Sequence, residues 1–220
     1  HITPAGAKKI MKKAHLDITH FESLTDADLD IIEKMANDYV EQNVCSNNRF
    51  MSRAEAENKY GMRLYQGGAI PGKELRIVEV PGIEVEACGG THVNCTGEIG
   101  KIRLLKAQKI QDGIVRLTFT AGLATEKMEK KYNKIKEELA EILETEPNKL
   151  LIRAEELMEK WKSLRKAKSS GNYQEEMLKL TQSKEDPPKV LREFKNKFKT
   201  PIHELIPKFK NLKEEWEKMK

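Results

Sequence analysis

Cysteine, aromatic residues and long apolar runs are all scarce in this sequence, and each scarcity excludes a class of protein. The three cysteines, Cys45, Cys88 and Cys95, are too few for a disulfide framework, and we expect Cys45 to be a free thiol in a reducing compartment. No apolar run approaches the roughly 20 residues that a helix needs to cross a bilayer, and the first residues do not resemble a signal peptide. These features predict a cytoplasmic protein with no membrane partner.

A strong excess of one charge is also missing. Forty Lys and Arg side chains stand against 35 Asp and Glu side chains, which leaves a net charge of +5. This balance permits an anionic partner such as nucleic acid but does not require one, because helical proteins with interleaved Lys and Glu often have it. With a mean hydropathy of −0.67, the chain is predicted to have a modest core and solvated helices.

The first part of the chain combines strand patterns with a helix predicted at 26–44 and a second, short helix. Thr25 is a good N-cap for a helix that should lie against a sheet, and Ser52 begins a capping box for a second helix that ends at Gly61. The segment 45–48 is predicted to be a loop. Alternating or apolar runs predict strands at 16–19, 75–80, 83–87, 99–110 and 114–120. The last two of these strands are joined by an Asp-Gly hairpin turn. We expect one mostly antiparallel sheet with covering helices.

The second part of the chain is helical and repeats itself. Apolar residues at spacings of four and three predict helices of the coiled-coil type, interrupted by breaks at Thr145 and Thr200. When the sequence is aligned with itself at one fixed offset, these two breaks coincide and Trp161 aligns with Trp216. We therefore predict two related helical hairpins. The predicted fold class is therefore α+β followed by an all-α arm, and the predicted domains are 1–122, 123–168, a linker at 169–186, and 187–220.

One loop combines the side chains of a soft metal site. Cys88 and His92 lie four residues apart on a loop that contains two glycines, and a thiol and an imidazole so placed can bind one soft cation. Cys95 is expected to be a free or buried thiol rather than a further ligand. A nucleophilic Cys-His pair is disfavoured, because the sequence offers no third group to orient the imidazole.

The run Val85 to Gly100 resembles the second additional domain that is shared by alanyl- and threonyl-tRNA synthetases and by free-standing alanyl-tRNA editing proteins. In that domain Ala-Cys-Gly-Gly-Thr-His and Thr-Gly-Glu-Ile-Gly occur in the same order as here. The segments around 13–21 and 65–80 are also similar to this family, in its archaeal-type alanyl version. We therefore expect a C-terminal fragment of an archaeal-type alanyl-tRNA synthetase, comprising the editing domain and a helical arm and lacking the aminoacylation motifs.

The resemblance implies a zinc site and a substrate site. In the family a His-x-x-x-His helix supplies two ligands in addition to the Cys-x-x-x-His pair, and only His1 stands where that motif would end. The implied zinc ligands are therefore Cys88, His92 and His1. Gln66 and Asp17 are the implied substrate-binding residues.

Three residues inside the loop are candidate catalytic residues. Gly89 and Gly90 can present bare backbone N–H groups to a developing oxyanion, although a tight turn would also explain them. Thr91 either recognises a serine hydroxyl or caps the loop.

The implied function is hydrolysis of the ester of tRNA(Ala) that carries serine or glycine by mistake, with the acceptor end of the tRNA as partner. Such editing is needed because a pocket for alanine cannot exclude glycine by size and excludes one added hydroxyl poorly. Zinc would position the substrate or activate a water. The alternatives are a non-catalytic fragment for tRNA binding or dimerisation, with a homodimer through the helical arm, and a free-standing editing hydrolase.

Overall fold

The computed structural model describes residues 2–10, 12–66, 68 and 70–220, which form two compact units. The first unit extends to Lys127 and the second comprises Met128–Lys220. Strands occur in the first unit and long helices dominate the second, so the predicted α+β class with a helical C-terminal part is confirmed.

The strands of the described residues are β1 (Pro4–Ile10), β2 (Lys13–Thr19), β3 (Asn47–Ser52), β4 (Glu74–Val80), β5 (Glu84–Ala87), β6 (Ile102–Gln111) and β7 (Ile114–Ala121). The α-helices are α1 (Asp26–Gln42), α2 (Arg53–Tyr60), α3 (Leu123–Leu143), α4 (Leu150–Ser170), α5 (Val190–Phe198) and α6 (Leu205–Met219). Short 3-10 turns occupy Gly61–Leu64, Thr96–Ile99, Glu175–Leu178 and Ile202–Glu204. None of the helices in this part of the chain is long and apolar enough to traverse a bilayer.

The strands form two antiparallel sheets instead of the one sheet expected. One has the order β1-β2-β7-β6 and the other the order β3-β4-β5. Periodicity identified most strands but could not assign them to sheets, because pairing depends on contacts distant in sequence. Strand β3 was also missed, since residues 45–48 were predicted to be a loop and β3 begins at Asn47.

Helix α1 packs on the four-stranded sheet and covers its β6 edge. Leu29 shares a small core with Ile18, Val115 and Leu117. The Asn37 amide accepts a hydrogen bond from the Ile102 N–H at 2.9 Å and donates one to the Ile102 carbonyl at 2.9 Å. These contacts satisfy backbone groups that an edge strand would otherwise leave unpaired.

The three-stranded sheet has one core face and one opposite face, the open face, on which Phe50 and Glu84 are exposed and Val78 is buried. The core face packs against α2 through apolar residues that include Leu75, Ile77, Val85 and Ala87. Ser52 caps α2 with the capping box predicted from the sequence, and the helix ends at Gly61 as expected. The residues that alternate with this core set lie on the opposite face, where the candidate site is found.

The helical unit contains α4, α5, α6 and most of α3, which are the helices of the two hairpins predicted at 123–168 and 187–220, and those bounds stay a prediction. Their apolar seams share one core, in which equivalent positions such as Leu139 and Phe194 are both fully buried. Trp216 is 1% exposed in this core, whereas its equivalent Trp161 is partly exposed. The seam is therefore covered within one chain, and a homodimer through the arm would have to use other surfaces.

The last part of the linker, from Thr181 to Asp186, is hydrogen-bonded to α4. The Asp186 carboxylate accepts hydrogen bonds from the N–H groups of Leu150 and Leu151 at 2.9 and 2.8 Å, so it caps the start of α4. The buried Glu156 carboxylate accepts the backbone N–H of Thr181 at 2.8 Å and is paired with Lys160 at 2.8 Å. Burial raises the pKa of Glu156, but the Lys160 and backbone hydrogen bonds outweigh it and leave the pKa below its ordinary value.

Two of the three cysteines form a disulfide, which corrects the predictions that Cys45 would be a free thiol and Cys95 a free or buried one. Cys45 and Cys95 are bonded, and Cys88 is free. The two bonded residues are 50 positions apart and meet because a short β-bridge pairs them, which no sequence pattern indicated. The cysteine content therefore no longer argues for a reducing compartment, and the cytoplasmic location stays a prediction.

Candidate metal centre

Strand β5 delivers two potential ligands to the open face of the three-stranded sheet. Val85 and Ala87 point into the core, so the alternating residues Glu86 and Cys88 lie on the other face. The chain then turns back, so that the His92 side chain lies beside Glu86 and Cys88. Ligand atoms of Glu86, Cys88 and His92 all lie within 4.8 Å of one another.

The cluster fits a small divalent cation. The Glu86 Oε1 and His92 Nε2 atoms are 3.7 Å apart, close to the roughly 3.4 Å that separates two N or O ligands on a tetrahedral zinc with bonds of about 2.1 Å. The Glu86 and His92 side chains are 33% and 26% exposed, so solvent reaches them. A thiolate, an imidazole and a carboxylate would leave one open position, as catalytic zinc sites do.

Arg76 of β4 fixes the first half of the site loop. Its Nη1 atom donates hydrogen bonds to the carbonyl oxygens of Cys88 at 2.9 Å and Gly90 at 2.7 Å. The Cys88 N–H in turn donates to the Arg76 carbonyl at 3.0 Å, which extends the β4–β5 ladder by one residue. Arg76 makes no ion pair with a carboxylate in the part of the chain that is described.

The second half of the loop is fixed from the segment after α1. Ser46 donates its backbone N–H to the Asn94 carbonyl at 2.7 Å, and the Cys45–Cys95 disulfide lies beside this contact. Two residues on, Gly97 lies so close to Asn43 that a Cβ there would come within 2.3 Å of the Asn43 side-chain oxygen. The loop apex, which includes Thr91 and His92, is therefore exposed between two anchored ends.

The predicted catalytic residues lie at this apex. Thr91 is exposed. Gly89 has open space where a Cβ would be, and a Cβ on Gly90 would make ordinary contact with the Cys88 Sγ at 3.5 Å. Over the described residues, the backbone N–H groups of Gly89 and Gly90 make no hydrogen bond, so they are available as donors.

The remaining predicted site residues are not brought into this cluster. Asp17 lies on β2 of the other sheet, where Arg116 donates to both its carboxylate oxygens at 2.7 and 2.8 Å. That hydrogen bonding lowers the pKa of Asp17. Gln66 is half-buried in the loop before β4. His1 lies outside the described residues.

Residues 75–118 match the second additional domain of threonyl and alanyl tRNA synthetases. The chain is 42% identical over 185 residues to an alanine-tRNA ligase of Methanothermobacter thermautotrophicus, which covers 84% of this chain and 21% of that enzyme. The resemblance to archaeal alanyl-tRNA synthetases is confirmed. The alanine-tRNA ligase of Archaeoglobus fulgidus is 43% identical over 166 residues, which are 76% of this chain and 18% of that enzyme. The alanine-tRNA ligase of Methanocella arvoryzae is 54% identical over 119 residues, which are 54% of this chain and 14% of that enzyme.

The chain thus spans about a fifth of the length of the curated synthetases that it matches. The matched domain includes Arg76 and the whole Glu86–Cys88–His92 cluster, whereas Asp17 and Gln66 lie outside it. Glu86 was missed as a ligand in the sequence, although the alternation of Val85, Glu86, Ala87 and Cys88 already placed the carboxylate and the thiol on one face of a strand.

Proposed function

We propose that the chain is the editing portion of an alanyl-tRNA synthetase, which hydrolyses the ester of tRNA(Ala) mischarged with serine or glycine in the cytoplasm. The observation that carries the proposal is the Glu86–Cys88–His92 cluster on the loop of the matched synthetase domain. The synthetase relatives supply the context of the substrate, since they are named alanine-tRNA ligases.

The reaction requires positioning more than a strong nucleophile, because the ester bond to the ribose is already reactive. Water adds to the carbonyl carbon, the bond from that carbon to the ribose oxygen breaks, and that oxygen takes the proton. Cys88, His92 and Glu86 would hold a zinc ion, which would supply Lewis acidity or a binding position for the substrate amine or hydroxyl.

The loop itself supplies the other groups of the proposed mechanism. The N–H groups of Gly89 and Gly90, which have no hydrogen-bond partner among the described residues, donate to the oxyanion that forms on the carbonyl. The Thr91 hydroxyl, exposed at the apex, contacts the serine hydroxyl or the ribose. Arg76 holds the carbonyls of Cys88 and Gly90 in place, so the loop donors need little rearrangement when substrate binds.

The proposal is tested by measuring zinc content and deacylation of seryl- and glycyl-tRNA(Ala) with the same preparations. We expect about one zinc per chain and turnover, with both lost in His92→Ala and retained in the control His203→Ala, whose side chain is 72% exposed in the helical unit. Binding of tRNA without zinc or turnover would instead support a non-catalytic module. Zinc without turnover on either substrate would contradict the editing function.

A further inference from the structure

An exposed aromatic side chain lies beside the candidate metal centre on the same face of the sheet. Phe50 of β3 is directly paired with Arg76 of β4, and Arg76 continues the ladder to Cys88. Directly paired residues of antiparallel strands point to the same face, so Phe50, Arg76 and Cys88 form a row across the open face. With strands about 4.8 Å apart, Phe50 is roughly 10 Å from Cys88.

The exposure of Phe50 has no explanation in the packing of its own unit. Its neighbour Met51 packs against the core of the three-stranded sheet, whereas Phe50 is 67% exposed. Arg76, its cross-strand partner, is half-buried and has only two carbonyl oxygens as described partners. An aromatic ring beside a guanidinium without a carboxylate is the pairing that binds a nucleotide, in which the ring stacks on the base and the cation contacts the phosphate.

We propose that Phe50 and Arg76 form a nucleotide subsite for the terminal adenosine of tRNA, with Phe50 stacking on the base. This assignment rests on the proposed function, because the ester to be hydrolysed is attached to the ribose of that nucleotide. The ribose would then lie between the ring of Phe50 and the cluster at Cys88. The subsite explains how a substrate is positioned beside the loop.

The test is a cycle in which the protein and the RNA are truncated separately and together. Kd is measured for wild type and Phe50→Ala with an acceptor-stem minihelix that ends in the terminal adenosine, and with one that lacks it. Removing the adenosine weakens wild-type binding about tenfold, within the range of one base–aromatic stack, and has little effect on Phe50→Ala. Additive effects of the two truncations would overturn the proposal, as would a wild type that does not distinguish the minihelices.

Two protein variants make the result specific. Phe50→Trp restores the preference for the complete minihelix, because a larger ring still stacks. Phe21→Ala removes another exposed phenylalanine, 85% exposed and near the Gly113 turn of the other sheet, and keeps the preference. A loss in Phe21→Ala equal to that in Phe50→Ala would overturn the assignment.

Kinetics and competition separate this proposal from the proposed function. With seryl-tRNA(Ala), Phe50→Ala raises KM about tenfold and changes kcat little. If wild type lacks zinc and turnover, the editing function fails, while the binding cycle still decides the subsite. If free AMP binds with the same dependence on Phe50 but the minihelices bind equally, the subsite serves a free nucleotide and the assignment to tRNA is wrong.

Discussion

The Glu86 carboxylate lies 3.7 Å from Nε2 of His92. We expect Glu86→Gln to weaken zinc binding by at least about 10–100-fold, the loss seen even for partners that only support a ligand. Competition with a chromogenic chelator measures this affinity. Glu84→Gln is the matched control, because Glu84 is exposed and lies two residues before Glu86, on the same face of β5. An equal loss of zinc affinity in Glu84→Gln would show that the carboxylates act only through general charge.

Arg76 is expected to affect both stability and the metal site. Arg76→Ala removes the two hydrogen bonds to the Cys88 and Gly90 carbonyls and should reduce the free energy of unfolding by about 1–3 kcal/mol. Zinc affinity should fall with it, because the loop that carries Cys88 and His92 is no longer fixed. Urea unfolding and zinc titration measure the two effects. The control Arg63→Ala removes an exposed arginine of the same unit, and zinc affinity that is insensitive to Arg76 would contradict its role in positioning the loop.

The Asp17–Arg116 ion pair predicts how stability depends on pH. The hydrogen bond from Arg116 lowers the folded-state pKa of Asp17 below its ordinary value of 3.8. The pair therefore contributes fully above that value, and its contribution is lost as the pH falls from the ordinary value through the folded-state pKa. Urea unfolding of wild type and Asp17→Asn at a series of pH values should show a difference that is constant near neutrality and shrinks in acid. A difference that grows in acid would be of the wrong sign.

The Cys45–Cys95 disulfide should contribute strongly to the stability of the first unit. The bond closes a segment in which its ends are 50 residues apart, and disulfides of this kind stabilise by about 2–4 kcal/mol. Cys45→Ser should lower the melting temperature, whereas wild type with reductant should approach the same value. Thiol titration of the unfolded, unreduced protein should find Cys88 alone, and three reactive thiols would refute the pairing.

The two tryptophans of the helical repeat should differ in their effect on stability. Trp216→Ala opens a cavity at a side chain that is 1% exposed and should cost about 3–5 kcal/mol. Trp161→Ala should cost less, because Trp161 is partly exposed. Denaturant unfolding measures both values, and light scattering shows whether either change alters the oligomeric state. Equal costs would contradict the asymmetric burial of the two positions.

Local sequence signals predicted much of this fold. The N-cap at Thr25, the capping box at Ser52 and the turn at Gly113 were recognised because each depends on residues within one turn of the chain. The helical seams followed from spacing alone, and α3 and α5 each end two residues before the breaks predicted at Thr145 and Thr200.

What the sequence did not reveal depends on pairing between distant segments. The division into two sheets, the Cys45–Cys95 bond and the row from Phe50 to Cys88 all follow from strand register, which a single sequence does not specify. For the candidate site, Cys88 and His92 were found from their spacing. The third group, Glu86, required the observation that the loop brings His92 back over β5.

Asp186 has a consequence for any attempt to dissect the helical unit. Because it binds the first N–H groups of a helix that begins 36 residues earlier, the opening turn of α4 is completed only after the linker has returned along that helix. The hairpins also share one core, so we expect them to unfold as one cooperative body despite their similar sequences. A protease that cleaves between them would release no separate piece until the whole body melts.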